Sequence, residues 1–504
     1  MKRQIETQIL IIGAGSTGTA IARELSKYKV DSILVERGVD VCSGETKSSH
    51  GGIYNSKGLS WASSTVLKSF MAKPGEPLLH PESMKEKLTL KGFNKFDSLA
   101  KELDLSSYRR VTRILMATND EEVKRLSETE KICKQTGVIP QRLNKDEVLG
   151  IEPNITKKGV CALLDNISQA SLYPWEYVIA LAENAQQNGV KIMLGTEVQG
   201  IRTLNGGFTV DTTRGIIKTN FIVNAAGAYT DRIAQMANVC DFGLKFLKLQ
   251  MTIFDNRSRL ISNKIGVPPL PGQSKGLNLT ASGKIHTVGH GYASTDNREN
   301  LSTTREWGAI DISTAKALVP KISARDIITS FTGITVFNTR DPENHIVEVS
   351  RKNPNFINAV IRQPGITPSP AIAEYVVELL AGQGLEMVEK ANFDPSRKGI
   401  PQVNSLSDKE KAKLISEDPR YGHVVCRCEQ VTEGEIVEAI RRGASTVAGI
   451  KYRTRAGMGR CQSNHCGPRV VEILSRELNV PMTEVTQRGG LSHVLHYRSL
   501  ELLS

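Results

Sequence analysis

The chain holds 504 residues, which at roughly 150 residues per domain is enough for about three domains and at least one large core. Hydrophobic residues at 39% and charged residues at 23% exclude a disordered or fibrous chain. The 65 Lys and Arg exceed the 53 Asp and Glu, which leaves +12, a field suited to anionic substrates, acidic partners or anionic lipid but no mark of nucleic acid, and no nucleic-acid partner is expected.

Residues 8–12 form a short apolar run of strand type, 13–18 a turn, and 19–25 a helix with Ile21 and Leu25 at helical spacing. Ser32–Val35 reads as a second strand and ends at Glu36, which completes a βαβ unit. Met1-Lys2-Arg3 imitates the start of a signal peptide, but Glu6 interrupts it and the apolar run opens a glycine motif instead of a cleavage site. No run of 18 uncharged apolar residues occurs, so a cytoplasmic chain is expected, at most peripheral on the inner face of the cell membrane.

Residues 84–150 are polar and Lys-rich and read as mixed helices and loops. A helix is predicted over 174–188, with Val178, Ile179, Ala182 and Ala185 on one face, Pro174 near its start and Gly189 after it. Strands are predicted at 191–194, 208–210 and 221–223, sheet through 245–330, and a helix over 371–380. Residues 386–420 are polar, contain Pro395 and Pro401, and read as a linker.

Gly13-x-Gly15-x-x-Gly18 lies between a predicted strand and helix, and Glu36 follows about 20 residues on. The glycines allow a tight turn and close approach of a pyrophosphate to backbone N–H groups, and Glu36 can accept from ribose hydroxyls. This points to a dinucleotide without separating FAD from NAD.

The choice comes from later segments. Glu36-Arg37-Gly38, then residues 44–52 with Thr46-Lys47-Ser48-Ser49-His50-Gly51, then Glu197-Val198, Asn224-Ala225-Ala226-Gly227 and Gln363-Pro364-Gly365-Ile366-Thr367 follow in order. Together they resemble the D-amino-acid-oxidase-like FAD-dependent dehydrogenases, the group that includes the catalytic subunits of anaerobic glycerol-3-phosphate dehydrogenases. The resemblance implies an α/β chain: a Rossmann-like FAD-binding domain of glutathione-reductase type, a mixed-sheet substrate domain and a small helical C-terminal 2Fe-2S domain. By it, the FAD-binding parts would be about 1–85, 150–240 and 330–385, and the substrate-binding parts about 86–149 and 241–329. Gly13, Gly15, Gly18, Glu36 and Arg37 would hold the ADP half of FAD. Thr46, Lys47, Ser48, Ser49, His50 and Gly51 would pass the pyrophosphate and flavin, and Val198 would meet adenine. Ala226 and Gly227 would close the site, with Gly365, Ile366 and Thr367 at the pyrimidine edge. Relatives commonly carry an Arg two residues after the glycine of Phe331-Thr332-Gly333, where this chain has Thr335. Arg340 or Arg362 is the candidate replacement, against the ordinary fate of a surface salt bridge.

Of eight cysteines, Cys426-x-Cys428 and Cys461-x4-Cys466 supply four thiolates, the number a 2Fe-2S cluster takes. Structural zinc also accepts four thiolates, though ribbons favour Cys-x2-Cys knuckles. Thr432-x-x-Glu435 is a capping box that opens a helix ended by Gly443, and Pro468 suits the first turn of another. Residues 421–485 resemble the 2Fe-2S domain related to bacterioferritin-associated ferredoxin, with 486–504 as a tail. Lys451, Arg453, Arg455 and Arg460 surround Cys461 in the sequence, as a field on the cluster, a docking face or a solvated face. Cys42, Cys133, Cys161 and Cys240 lack partner spacing and read as small buried residues.

Two redox groups imply hydride transfer from substrate to FAD, then single electrons through the cluster to an acceptor protein or subunit and ultimately quinone. His50 and His290 are candidate bases because imidazole titrates near neutral pH. The expectation is an oligomeric dehydrogenase resembling those for glycerol 3-phosphate and acting on a small anionic secondary alcohol. An amine or 2-hydroxy-acid dehydrogenase of the same fold is the alternative. A non-catalytic electron-transfer protein is the alternative from another class.

Overall fold

Strand β1, Gln4–Ile12, is wholly buried over its last four residues. It pairs in parallel with Gly215–Asn224 on one side and with β2, Ser32–Val35, on the other. Lys191–Met193 extends the sheet beyond β2, and Asn353–Val360 extends it beyond Gly215–Asn224, both in parallel. Antiparallel strands Val198–Leu204, Gly207–Thr212 and Ile346–Ser350 complete eight. A parallel sheet has both faces covered, and the unbroken runs Ile9 to Ile12 and Ile33 to Val35 are buried accordingly. The structure, a computed structural model, describes residues 4–64, 83–204, 206–256, 258–268, 276–280, 282–288 and 292–497.

Helix α1, Ser16–Leu25, connects β1 to β2 and is buried along its whole length, including Arg23. Arg23 Nε donates to Asn184 Oδ1 at 2.8 Å and its Nη2 reaches Glu102 at 2.6 Å. Asn184 sits on helix Pro174–Gln187, so a buried charge is satisfied by the helix packed beside it.

A second, nine-stranded mixed sheet is built on Leu244–Phe254, which pairs antiparallel with Ile327–Asn338. Arg113–Ala117, Cys161–Asp165, Lys264–Gly266 and Ile285–Val288 belong to it. Ala315 and Leu318 of helix Arg305–Leu318 pack against its apolar face. The fold class is α/β, as the segment order implied, and within 84–150 the structure places two strands of this sheet, Arg113–Ala117 and Gln141–Asn144.

Two compact units divide at Arg397 and Lys398, the second also taking in Glu36–Val41. Residues 386–397 of the expected linker thus belong to the first unit, and 398–420, with helix Asp408–Glu417, to the second. The second unit packs helices Glu433–Arg441, Val447–Thr454 and Gly467–Leu478 on Ile436, Ile450, Ile473 and Leu474. The capping box is present: Thr432 accepts from Glu435 N–H while Glu435 accepts from Thr432. Val447–Thr454 was not legible as a helix, because Gly449 and its β-branched residues form helix weakly alone. Thr446 caps it, and Val447 and Ile450 anchor it in the core.

Arg397 is buried, with Nε 2.6 Å from Glu183. Glu183→Ala, which strands that cation, is expected to cost about 3–5 kcal/mol, while Glu183→Leu with Arg397→Met restores most of it. Thermal unfolding of the three variants checks both.

Candidate functional site

The parallel strands end at one edge of the first sheet, where open α/β folds hold their ligands. Gly13 follows β1 with φ +104°, and a Cβ there would lie 2.5 Å from Ala225 O. A Cβ on Gly18 would lie 1.9 Å from Gly13 O. Turn, helix and neighbouring strand end therefore touch through backbone, which no other residue permits.

Gly15 is the N-cap of α1, with no side-chain cap and no acid in the first turn. That leaves N–H groups and a positive helix end suited to a phosphate. Thr46 Oγ1 accepts from Ser16 N–H at 3.2 Å, which seats the turn Glu45–Ser48 against the helix start. Lys47 Nζ donates to Ser43 O. A Cβ on Gly227 would meet Glu45 Oε2 at 2.6 Å, and one on Gly333 would meet Ser48 Cβ at 3.0 Å. Thr367 is fully buried and its Oγ1 accepts from Tyr54 N–H at 3.4 Å. Segments 13–18, 44–51, 225–227 and 363–367 thus gather in the first unit, and the uncapped helix end with its glycine cradle fits a dinucleotide pyrophosphate. Gly365 and Ile366 lie in the last of these, Ile366 buried. Val198 is buried at the head of its strand in the sheet core. Glu36 directly follows β2 and accepts from Gly38 N–H at 2.8 Å, and Arg37 is exposed.

His50 Nδ1 accepts from Gly52 N–H at 2.9 Å. Its ring stacks 6.0 Å from His286 and 6.5 Å from Tyr54. Ser49 Oγ accepts from Gly51 N–H, and Gly51 at φ +70° backs onto Leu172 O. Opposite stands a row across three adjacent strands, Lys264 beside Arg113 beside Asp165. Burial holds Lys264 well below the usual lysine range, with Arg113 adding to it. Burial likewise brings Arg113 down to about 10, and burial, then Lys264 and His286, lowers His50. Arg113 Nε, Arg109 Nε and Asn278 Oδ1 are buried without a hydrogen-bond partner among the described residues. A cavity of about 200 Å³ opens between Gly52, Arg109, Ser171, Asn263, Lys264 and Asn278.

These cations were missed by the sequence reading. The one local signal is a charge heading an apolar run, as in Arg113-Ile-Leu-Met, and strand pairing alone joins Arg113 to Lys264. Arg340, expected near substrate, is instead held by Asp241 at 3.0 Å and Glu348 at 2.7 Å, which neutralise it. Arg362 pairs with Glu343 at 3.0 Å and lies over Phe337. The salt-bridge alternative describes both. His290 lies outside the described residues. Cys42 and Cys133 are buried as expected, whereas Cys161 and Cys240 are half-buried.

In the second unit, Cys428 Sγ and Cys461 Sγ stand 3.7 Å apart. Two thiolates on one tetrahedral metal, with bonds of about 2.3 Å, lie about 3.8 Å apart. Cys426 and Cys466 form the other pair, their shared hydrogen bond lowering Cys426 to about 6 and raising Cys466. Among the described residues no three His, Cys, Asp or Glu gather as a single-ion site. Sulfurs paired two by two fit a two-iron cluster, in which each iron takes two. Also among the described residues, no helix is long and apolar enough to cross a membrane.

The family described as FAD dependent oxidoreductase matches residues 8–379, and that described as BFD-like [2Fe-2S] binding domain matches 424–476. A glycerol 3-phosphate dehydrogenase from Caloramator mitchellensis is 36% identical, over 97% of this chain and 98% of that one. A glycerol 3-phosphate oxidase from Mycoplasma pneumoniae is 27% identical, over 77% of this chain and 97% of the oxidase. The FAD-bound structure of L-alpha-glycerophosphate oxidase from Mycoplasma pneumoniae superposes with TM-score 0.68 at 24% identity, covering 78% of this chain and 98% of that one.

Cys428→Ser is expected to abolish the iron-sulfur absorption and acid-labile sulfide while FAD content stays intact, as visible spectra and sulfide assay would read. A pH effect follows from His286, which burial holds at about 4. Between about 4 and 6.5 the unfolded chain binds a proton that the folded one refuses, so this contribution is full above 6.5 and lost as pH falls through 4. It amounts to about 3 kcal/mol. His286→Asn should flatten the rise of unfolding temperature across that window.

Proposed function

This chain belongs to the FAD-dependent oxidoreductase family, and we propose that it is a glycerol-3-phosphate dehydrogenase whose electrons leave through its own 2Fe-2S cluster. FAD and the cluster are its cofactors: FAD supplies a hydride acceptor, and the cluster a one-electron store. The observation that carries the substrate assignment is the buried Lys264 and the half-buried Arg113, whose Nε is buried, side by side on paired strands across from His50.

No carboxylate pairs with Lys264 among the described residues, so a phosphate would supply the charge that burial denies it. Arg109 lines the cavity together with Lys264, and Ser171, Asn263 and Asn278 offer hydrogen bonds to glycerol hydroxyls. Because His50 Nδ1 accepts from Gly52, the neutral ring carries its proton on Nε2. It is thereby placed to hold the substrate oxygen at the carbon being oxidised by donation, a positioning role: with Nδ1 engaged and Nε2 protonated it has no lone pair for the hydroxyl proton, which passes to solvent water as the carbon gives up its hydride. The roles of Gly13, Gly15, Gly18, Thr46 and the 225–227 and 363–367 segments as the FAD cradle, and of the four C-terminal cysteines as cluster ligands, belong to the same reading. The names of the relatives support it, as does the cluster domain, which gives reduced flavin a one-electron outlet that an enzyme reducing only oxygen does not require.

Anaerobic addition of glycerol 3-phosphate is expected to bleach the flavin faster than 2-hydroxy acids or amino acids do, and a better response to the latter two would overturn the assignment. Lys264→Met should weaken glycerol 3-phosphate binding about 10- to 100-fold with FAD retained.

A further inference from the structure

The four sulfurs are placed unequally. Cys426 and Cys466, 1% and 2% exposed, lie within the apolar core of the second unit with Val431, Ile436 and Val470. Cys428 is exposed and Cys461 half-buried. A Cβ on Gly459 would lie 2.1 Å from Cys428 Cβ, so the backbone before Cys461 passes directly against Cys428. One end of the cysteine set reaches solvent and the other does not.

The surrounding cations are also unequal. Arg453 grips the Asp40 carboxylate at 2.5 and 2.9 Å. Arg455 Nε donates to Glu429 at 2.9 Å, and Lys451 is half-buried. Arg453 and Arg455 are thus held by carboxylates, and Lys451 is drawn partly out of solvent. Arg427, between the first two cysteines, and Arg460, just before the third, are exposed.

We propose that this edge, with Arg427 and Arg460 flanking the Cys428 and Cys461 sulfurs, is the docking surface for an acidic one-electron carrier protein. The inference rests on the reading that substrate electrons reach the cluster. Carboxylates around the carrier's redox centre meet the two guanidinium groups, which steers encounter and sets orientation. Apolar packing over Cys426 and Cys466 denies the opposite approach. Each event moves one electron and no atoms: the cluster loses one electron and the carrier gains it, and two events clear one hydride.

The same face serves transfer in reverse, so the holoenzyme with oxidised cluster is mixed in stopped flow with a pre-reduced acidic plant-type 2Fe-2S ferredoxin, a donor of low potential. Arg427→Glu with Arg460→Glu should slow cluster reduction at least about tenfold at low salt, and the difference should fade as salt screens it. Arg427→Lys with Arg460→Lys should keep the parent rate, and Lys409→Glu with Lys413→Glu, an equal charge change on helix Asp408–Glu417, should leave it within about twofold. An unchanged rate in the doubly acidic variant with intact cluster absorption, or equal slowing by Lys409→Glu with Lys413→Glu, overturns the proposal. Substrate-driven flavin bleaching is read separately: its absence beside a normal ferredoxin response discards the substrate reading and keeps the docking face.

Discussion

The first unit depends on a contact that leaves no room for a side chain. Gly18 backs onto the carbonyl of Gly13, and Gly13 onto that of Ala225, at distances where a Cβ would overlap the neighbouring oxygen. This closure brings the start of α1 against the ends of two parallel strands. Thr46 then docks on Ser16, and Glu45 on Gly227, so the second segment is positioned by the first. The site is a consequence of backbone packing, and its polar groups are oriented before any ligand arrives.

On the side proposed to receive substrate the governing term is desolvation. Lys264 and Arg113 lie next to each other with little solvent and one nearby carboxylate, Asp165, which acts on Arg113. Two cations held this way are unfavourable for the empty protein. They become favourable when a doubly charged anion enters, and that difference is a source of selectivity. Arg340, by contrast, stands between Asp241 and Glu348 and has its charge already satisfied.

The second unit solves another problem with similar means. Two cysteines sit in an apolar core and two at its edge, so a redox group held between them is fixed by packing on one side and open on the other. Helix Val447–Thr454 ends at Arg455 in a left-handed conformation, φ 72°, and Arg455 then pairs with Glu429 beside Cys428. The loop that carries Cys461 is thereby tied to the loop that carries Cys428.

The sequence by itself determined what depends on spacing along the chain. The βαβ unit, Gly13, Gly15 and Gly18, the helix after Pro174 and the capping box of Thr432 and Glu435 were legible because local geometry sets each of them, and the four cysteines were legible from their spacing, although the structure pairs them across the two local sets, Cys428 with Cys461 and Cys426 with Cys466. Where the chain pairs with distant strands, local signals failed. Arg113 and Lys264 are unremarkable single charges until a parallel register sets them together, and His286 is an ordinary strand residue until its ring meets that of His50. Which cations stay exposed near Cys461 was likewise decided in three dimensions, because Asp40 and Glu429 claim Arg453 and Arg455 from far away in sequence. Turns, caps and ligand spacings follow from bonds between near neighbours, whereas burial and charge pairing follow from which distant segments share one volume.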